Sequence, residues 1–115
     1  MLFRSPVDGE QVIHFDVRSD NVCFARGRAI LVDWNLASRG NGVFDLAFWL
    51  PSLATESGPQ PWELLPDAPE FAAICAGFFA CRAGLPPPET APSVRAVQLA
   101  QLVPALAWVR RELAL

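Results

Sequence analysis

Near the start of the chain stand His14, Asp16, Asn21 and Asp33, in the run His14-Phe15-Asp16-Val17-Arg18-Ser19-Asp20-Asn21 and then Val32-Asp33-Trp34. These types in this order suit the attack of a hydroxyl on a metal-held phosphoryl group. Such chemistry needs one carboxylate to orient and deprotonate the hydroxyl, which Asp16 supplies. It needs an amide oxygen to hold a magnesium ion, which Asn21 supplies, and a second carboxylate reaching the same metal, which Asp33 supplies.

The elements between these residues must bring them together. Phe15 to Asn21 has neither a helical nor a strand period and reads as a loop. Val22-Cys23-Phe24-Ala25 and Ala29-Ile30-Leu31-Val32 are apolar and partly β-branched, and Arg26-Gly27-Arg28 separates them. Gly27 gives the backbone freedom of a tight turn, so the segment reads as a β-hairpin. A hairpin returns the chain on itself, and Asn21 and Asp33 flank its two strands. An amide and a carboxylate are thereby expected side by side.

Length and composition set the frame. At 115 residues, 52% hydrophobic and 18% charged, the chain is one domain or part of one and is expected to fold. A formal net charge of −3 argues against a broad nucleic-acid surface. Cys23, Cys75 and Cys81 are too few and too irregular for a disulfide framework and read as three buried reduced thiols. One histidine and no paired-cysteine motif leave no zinc pattern. The N-terminus has no signal-peptide pattern and no apolar run has the length of a membrane span, so the expectation is a cytoplasmic protein with no membrane partner.

The remaining chain reads as follows. Residues 1–9 are a turn-rich entry, and Gln11-Val12-Ile13-His14 is a short apolar run leading into the loop. Asn35 to Gly42 is a loop. Val43 to Leu53 is a helix with Asp45 in its first turn, where the helix dipole favours a carboxylate, and Pro51 is expected to kink or end it. Thr55 to Pro69, rich in proline, is a surface linker. A second helix runs from about Ala68 or Glu70 to Ala83 and is apolar nearly all round, hence central. A third runs from near Pro92-Ser93 to about Leu113. In it Leu99, Leu102, Val103, Leu106, Val109 and Leu113 form one stripe, Gln98 and Gln101 lie off it, and Pro104 predicts a kink. The fold class is α+β: a loop and β-hairpin followed by about three α-helices.

Through these motifs the chain resembles the C-terminal lobe of the aminoglycoside phosphotransferase and choline-kinase-like family, which has a protein-kinase-like fold. The resemblance rests on the His14 to Asn21 loop, on Leu31-Val32-Asp33-Trp34 and on Phe44-Asp45-Leu46-Ala47, and it covers most of residues 10–113. It implies an ATP-dependent phosphotransferase acting on a small-molecule hydroxyl. Asp16 would be the catalytic base or aligning residue, and Arg18 would face the transferring phosphoryl group. Asn21 and Asp33 would ligate magnesium bridging the phosphates of ATP. His14 and Asp45 would be structural supports, the latter bracing the loop from the helix start.

The resemblance divides the chain into residues 10–34, the catalytic loop, hairpin and metal motif, and residues 43–115, the helical part of one partial lobe. No glycine-rich phosphate loop and no nucleotide-gripping strand lysine precede His14. The expectation is therefore an N-terminally truncated fragment that binds ATP weakly and is inactive alone. The alternative is a non-catalytic remnant, either a helical interaction module or one half of a split kinase. It would self-associate, or bind a missing lobe, through exposed apolar helix faces.

Overall fold

The computed structural model describes residues 4–115. The first part of the expected turn-rich entry, residues 1–3, lies outside the described residues. The remainder turns at Ser5, whose carbonyl accepts the Asp8 amide. Strand β1 (Gln11–Ile13) then pairs antiparallel with β4 (Ser38–Gly40), Val12 facing Arg39. The loop expected over Asn35 to Gly42 therefore contains a strand. Its residues carry no strand signal of their own and pair because β1 presents an open edge to them.

Between these strands lies the hairpin of β2 (Val22–Ala25) and β3 (Arg28–Leu31), with Val22 opposite Leu31 and Ala25 opposite Arg28. Arg26 and Gly27 form its turn with φ of 53° and 72°. Positive φ at both central residues matches the right-handed twist of the strands. Strand β2 has the expected bounds, while β3 begins and ends one residue before the apolar run from Ala29 to Val32, because the two-residue turn fixes the register.

Four helices follow: α1 (Val43–Thr55), the short α2 (Pro61–Leu64), α3 (Pro69–Ala83) and α4 (Val94–Glu112). Helix α1 continues past Pro51, although proline removes a backbone donor. Leu50, Pro51 and Ser52 are all buried, and this packing outweighs the local penalty of about 3 kcal/mol. Helix α4 runs on through Pro104 in the same way. The proline-rich linker holds α2 because Pro61 occupies the first helical turn and Glu63 accepts the Gln60 amide at 2.6 Å. Trp62 and Leu65 pack on the core while Leu64 stays exposed.

The core joins Ala47 and Leu50 of α1 to Phe71, Ala72, Cys75, Ala76 and Phe79 of α3 and to Ala105 and Trp108 of α4. Three expectations change here. The buried residues of α4 are Gln101, Ala105 and Trp108; of the expected stripe Leu102 and Val109 pack against the core, whereas Leu99, Val103, Leu106 and, just beyond the helix, Leu113 are exposed. Small Ala105 lets α4 approach α3 closely, and Trp108 fills the space beside it, so the face carrying Leu99, Val103 and Leu106 turns outward. Of the three cysteines, all free, Cys75 is buried while Cys23 on the hairpin and Cys81 on α3 are exposed. Helix α3 also leaves Ile74 in contact with solvent, so it is central on one side only.

Candidate active site

The loop after β1 is held by hydrogen bonds that a mobile segment would lack. His14 is fully buried. Its Nδ1 accepts the Asp16 amide at 3.1 Å, which leaves Nε2 as the donor to the Val32 carbonyl at 2.6 Å. One imidazole thus links the backbone of Asp16 to the residue preceding Asp33. The Trp34 ring meets His14 edge-on at 4.7 Å, and its Nε1 donates to the Leu31 carbonyl at 3.0 Å.

Asp45 supports the loop from α1. Its carboxylate accepts the His14 amide at 2.9 Å and the Phe15 amide at 2.7 Å. Phe15 has φ of 67°, a left-handed conformation that is unfavourable for a bulky residue. Asp33 has φ of 60°. Backbone held in this region is over-determined by its surroundings and concentrates at functional sites. At the far end of the loop, Ser19 Oγ donates to Glu56 Oε2 at 2.6 Å, beside the C-terminus of α1.

Asp16, Arg18 and Asn21 are brought into direct contact. Asn21 Nδ2 donates to the Asp16 carbonyl at 2.8 Å and lies 3.3 Å from Asp16 Oδ2. Its donor side is thereby turned to the loop, and Oδ1 remains the acceptor available to a cation. Arg18 Nε is 3.5 Å from Asp16 Oδ1 and 3.3 Å from Asp20 Oδ1. The Asn21 carbonyl accepts the Val32 amide at 2.9 Å, extending the hairpin ladder by one pair. Asn21 therefore faces Val32, and Asp33 is the adjoining residue. Asp33 is exposed, and its Oδ1 accepts from Asn35 Nδ2 at 2.6 Å.

Among the described residues no three His, Cys, Asp or Glu side chains gather as a cage for a metal. An amide oxygen and one or two carboxylates are the donor set of a hard cation that also takes phosphate oxygens, so these residues fit magnesium and not a thiol- or imidazole-loving metal.

A cavity of about 470 Å³ opens on the other side of the loop. Asp16 and Arg18 border it, while Phe48 of α1, Phe78 and Phe79 of α3 and Gln101 of α4 form much of its wall. Neither Asn21 nor Asp33 borders it. The loop thus presents Asp16 to an apolar cavity and Asn21 to the hairpin side. Residue spacing marked the loop but not this wall, because Phe78 and Phe79 read as core and Gln101 as a surface residue.

The sequence model of the phosphotransferase enzyme family matches residues 2–83. The chain belongs to this family. No curated protein and no solved structure matches. The family match takes in the loop, the hairpin, Asp33, Asp45 and α3, and it stops before α4, which closes the cavity. As a member of the phosphotransferase family, the protein combines small antiparallel sheets with four helices, an α+β arrangement that fits part of a kinase-like lobe. Among the described residues no helix is long and apolar enough to cross a membrane.

Proposed function

We propose that the chain carries the catalytic loop of an ATP-dependent small-molecule kinase. The observation that supports this best is the contact of the Asn21 amide with Asp16 together with the His14 link to Val32. The first ties Asn21 directly to the hydroxyl-orienting Asp16, and the second ties the backbone of Asp16, through one buried imidazole, to the residue before Asp33.

On this reading the acceptor hydroxyl lies against Asp16 at the cavity rim. Its oxygen forms a bond to the γ-phosphorus as the bond from that phosphorus to the bridging oxygen of ATP breaks, releasing ADP. The hydroxyl proton passes to the Asp16 carboxylate and on to water. Arg18, held beside Asp16, offsets charge on the transferring group. Asn21 Oδ1 and the Asp33 carboxylate would hold magnesium, whose positive charge would offset that of the phosphates. Positioning and charge neutralisation are the main sources of rate in such transfers. No glycine-rich phosphate cradle stands among the described residues before His14, so these residues alone bind ATP weakly. A cytoplasmic setting, where ATP is available, accords with this role.

Calorimetric titration of magnesium and ATP into the full chain tests the proposal. The expected result is a weak heat that requires magnesium and is lost in Asp33→Ala. Identical heats for the two proteins would refute it.

A second reading rests on the outward face of α4. Leu99, Val103 and Leu106 are 56%, 68% and 43% exposed and share one side of the helix. Such a face favours association with a second copy of the chain, and that association can coexist with catalysis.

A further inference from the structure

The wall of the cavity beside Asp16 carries information about the acceptor. Its volume of about 470 Å³ is that of a site for one small organic molecule. Much of the wall is aromatic. The Phe48 and Phe78 ring centroids lie 5.1 Å apart and those of Phe78 and Phe79 lie 5.4 Å apart, both pairs edge to face. This packing fixes the rings and leaves a rigid apolar surface.

The charges on this wall are unbalanced toward the positive. Asp16 is the carboxylate bordering the cavity, and it is already engaged by Arg18 at 3.5 Å. Arg82 also borders the cavity, its guanidinium 4.4 Å from the centre of the Phe78 ring. A polycationic sugar would meet two guanidinium groups and no free carboxylate. Gln101 completes the pattern. It is 5% exposed and borders the cavity, adding an uncharged polar side chain to the wall.

We propose that the cavity takes a hydroxylated carboxylic acid with a flat apolar body. The hydroxyl sits at Asp16, the body lies on Phe48, Phe78 and Phe79, and the carboxylate pairs with Arg82. The assignment rests on the reading of Asp16 as the residue that orients the acceptor hydroxyl, and it makes Arg82 the specificity-determining residue.

The test is binding to the full chain without metal or nucleotide, followed by ligand-observed NMR and calorimetry. The probes are para-hydroxymethylbenzoate, benzyl alcohol and spermine. The acid is expected to bind about tenfold more tightly than benzyl alcohol, and spermine not at all. Arg82→Gln should erase the preference for the acid and leave benzyl alcohol unchanged, while Arg82→Lys retains part of the preference. A purely structural Arg82 would shift both ligands equally, which would overturn the proposal. Failure of either aryl probe to bind, or tighter binding of spermine, would overturn it too. Asp33→Ala should leave binding of the acid intact. Binding of the acid without any Asp33-dependent nucleotide heat would refute phosphoryl transfer but not the pocket chemistry, and the converse would refute the pocket chemistry alone.

Discussion

Asp45 accepts the amide of Phe15 at 2.7 Å and so holds a phenylalanine whose φ is 67°. The two residues are far apart in sequence, one at the start of α1 and the other beside Asp16. The same carboxylate takes the His14 amide at 2.9 Å. A charged acceptor with two backbone donors strengthens both bonds and offsets the cost of the left-handed residue.

Removing this acceptor should release the loop. Asp45→Ala leaves two partly buried amides without partners, and its expected cost is about 2–4 kcal/mol in urea unfolding. Asp45→Asn, which keeps one acceptor oxygen, should lose about half as much. Amide exchange at His14 and Phe15 should accelerate in both variants, and unchanged exchange would show that the loop is held by other contacts.

Cys75 gives the protein an alkaline weakness. Burial raises its thiol from 9.0 to about 12. The unfolded chain ionises this thiol above its ordinary value while the native chain keeps it protonated, so the native state binds more protons there. Its contribution is fully present below pH 9.0 and is lost as pH rises toward about 12. The sequence has no tyrosine and no lysine, so few other groups titrate in that window. Stability should fall by a few kcal/mol across it, and Cys75→Ala should flatten the fall. Iodoacetamide should label exposed Cys23 and Cys81 in the native protein and reach Cys75 on unfolding.

Ser57 ends α1 in a left-handed conformation with φ of 64°, and the Gly58 amide that follows it bonds back to the Leu53 carbonyl at 2.8 Å. Glycine is the residue suited to the left-handed position. Ser57→Gly is expected to raise stability by about 0.5–1 kcal/mol. Gly58→Ala should do the reverse, because a Cβ at Gly58 would lie 2.6 Å from the Leu53 carbonyl oxygen. Thermal unfolding of both variants checks the pair.

The open face of α4 predicts concentration-dependent association. Sedimentation at rising concentration should show dimers, and Val103→Glu should shift the chain to monomer with little loss of stability, since Val103 is exposed. A wild-type chain that stays monomeric at high concentration would remove the second reading.

Much of the site was legible because its signals are local. The loop from His14 to Asn21 is set by residue types at fixed spacing. The hairpin follows from two apolar runs around Gly27, and α3 starts within a residue of the expected Ala68 or Glu70 and ends at Ala83 as expected. The strand pairing of Ser38–Gly40 was not legible, because those residues have little β-propensity and pair through β1, a distant segment. Nor was α2, read as linker because proline dominated its composition, although Pro61 sits where a helix tolerates it.

The sequence by itself determined the inventory of the protein: which carboxylates, amide and guanidinium stand in the loop, and where the chain turns to bring Asn21 alongside the segment carrying Asp33. Tertiary structure decided which surfaces those groups meet. It turned Gln101, Ala105 and Trp108 of α4 inward and left Leu99, Val103 and Leu106 outside, because small Ala105 beside large Trp108 suits the packing on α3, and helical periodicity does not choose between two largely apolar faces. It also made Phe78, Arg82 and Gln101 the walls of one cavity beside Asp16, since a cavity arises where helices distant in sequence fail to close, and no local pattern records that gap.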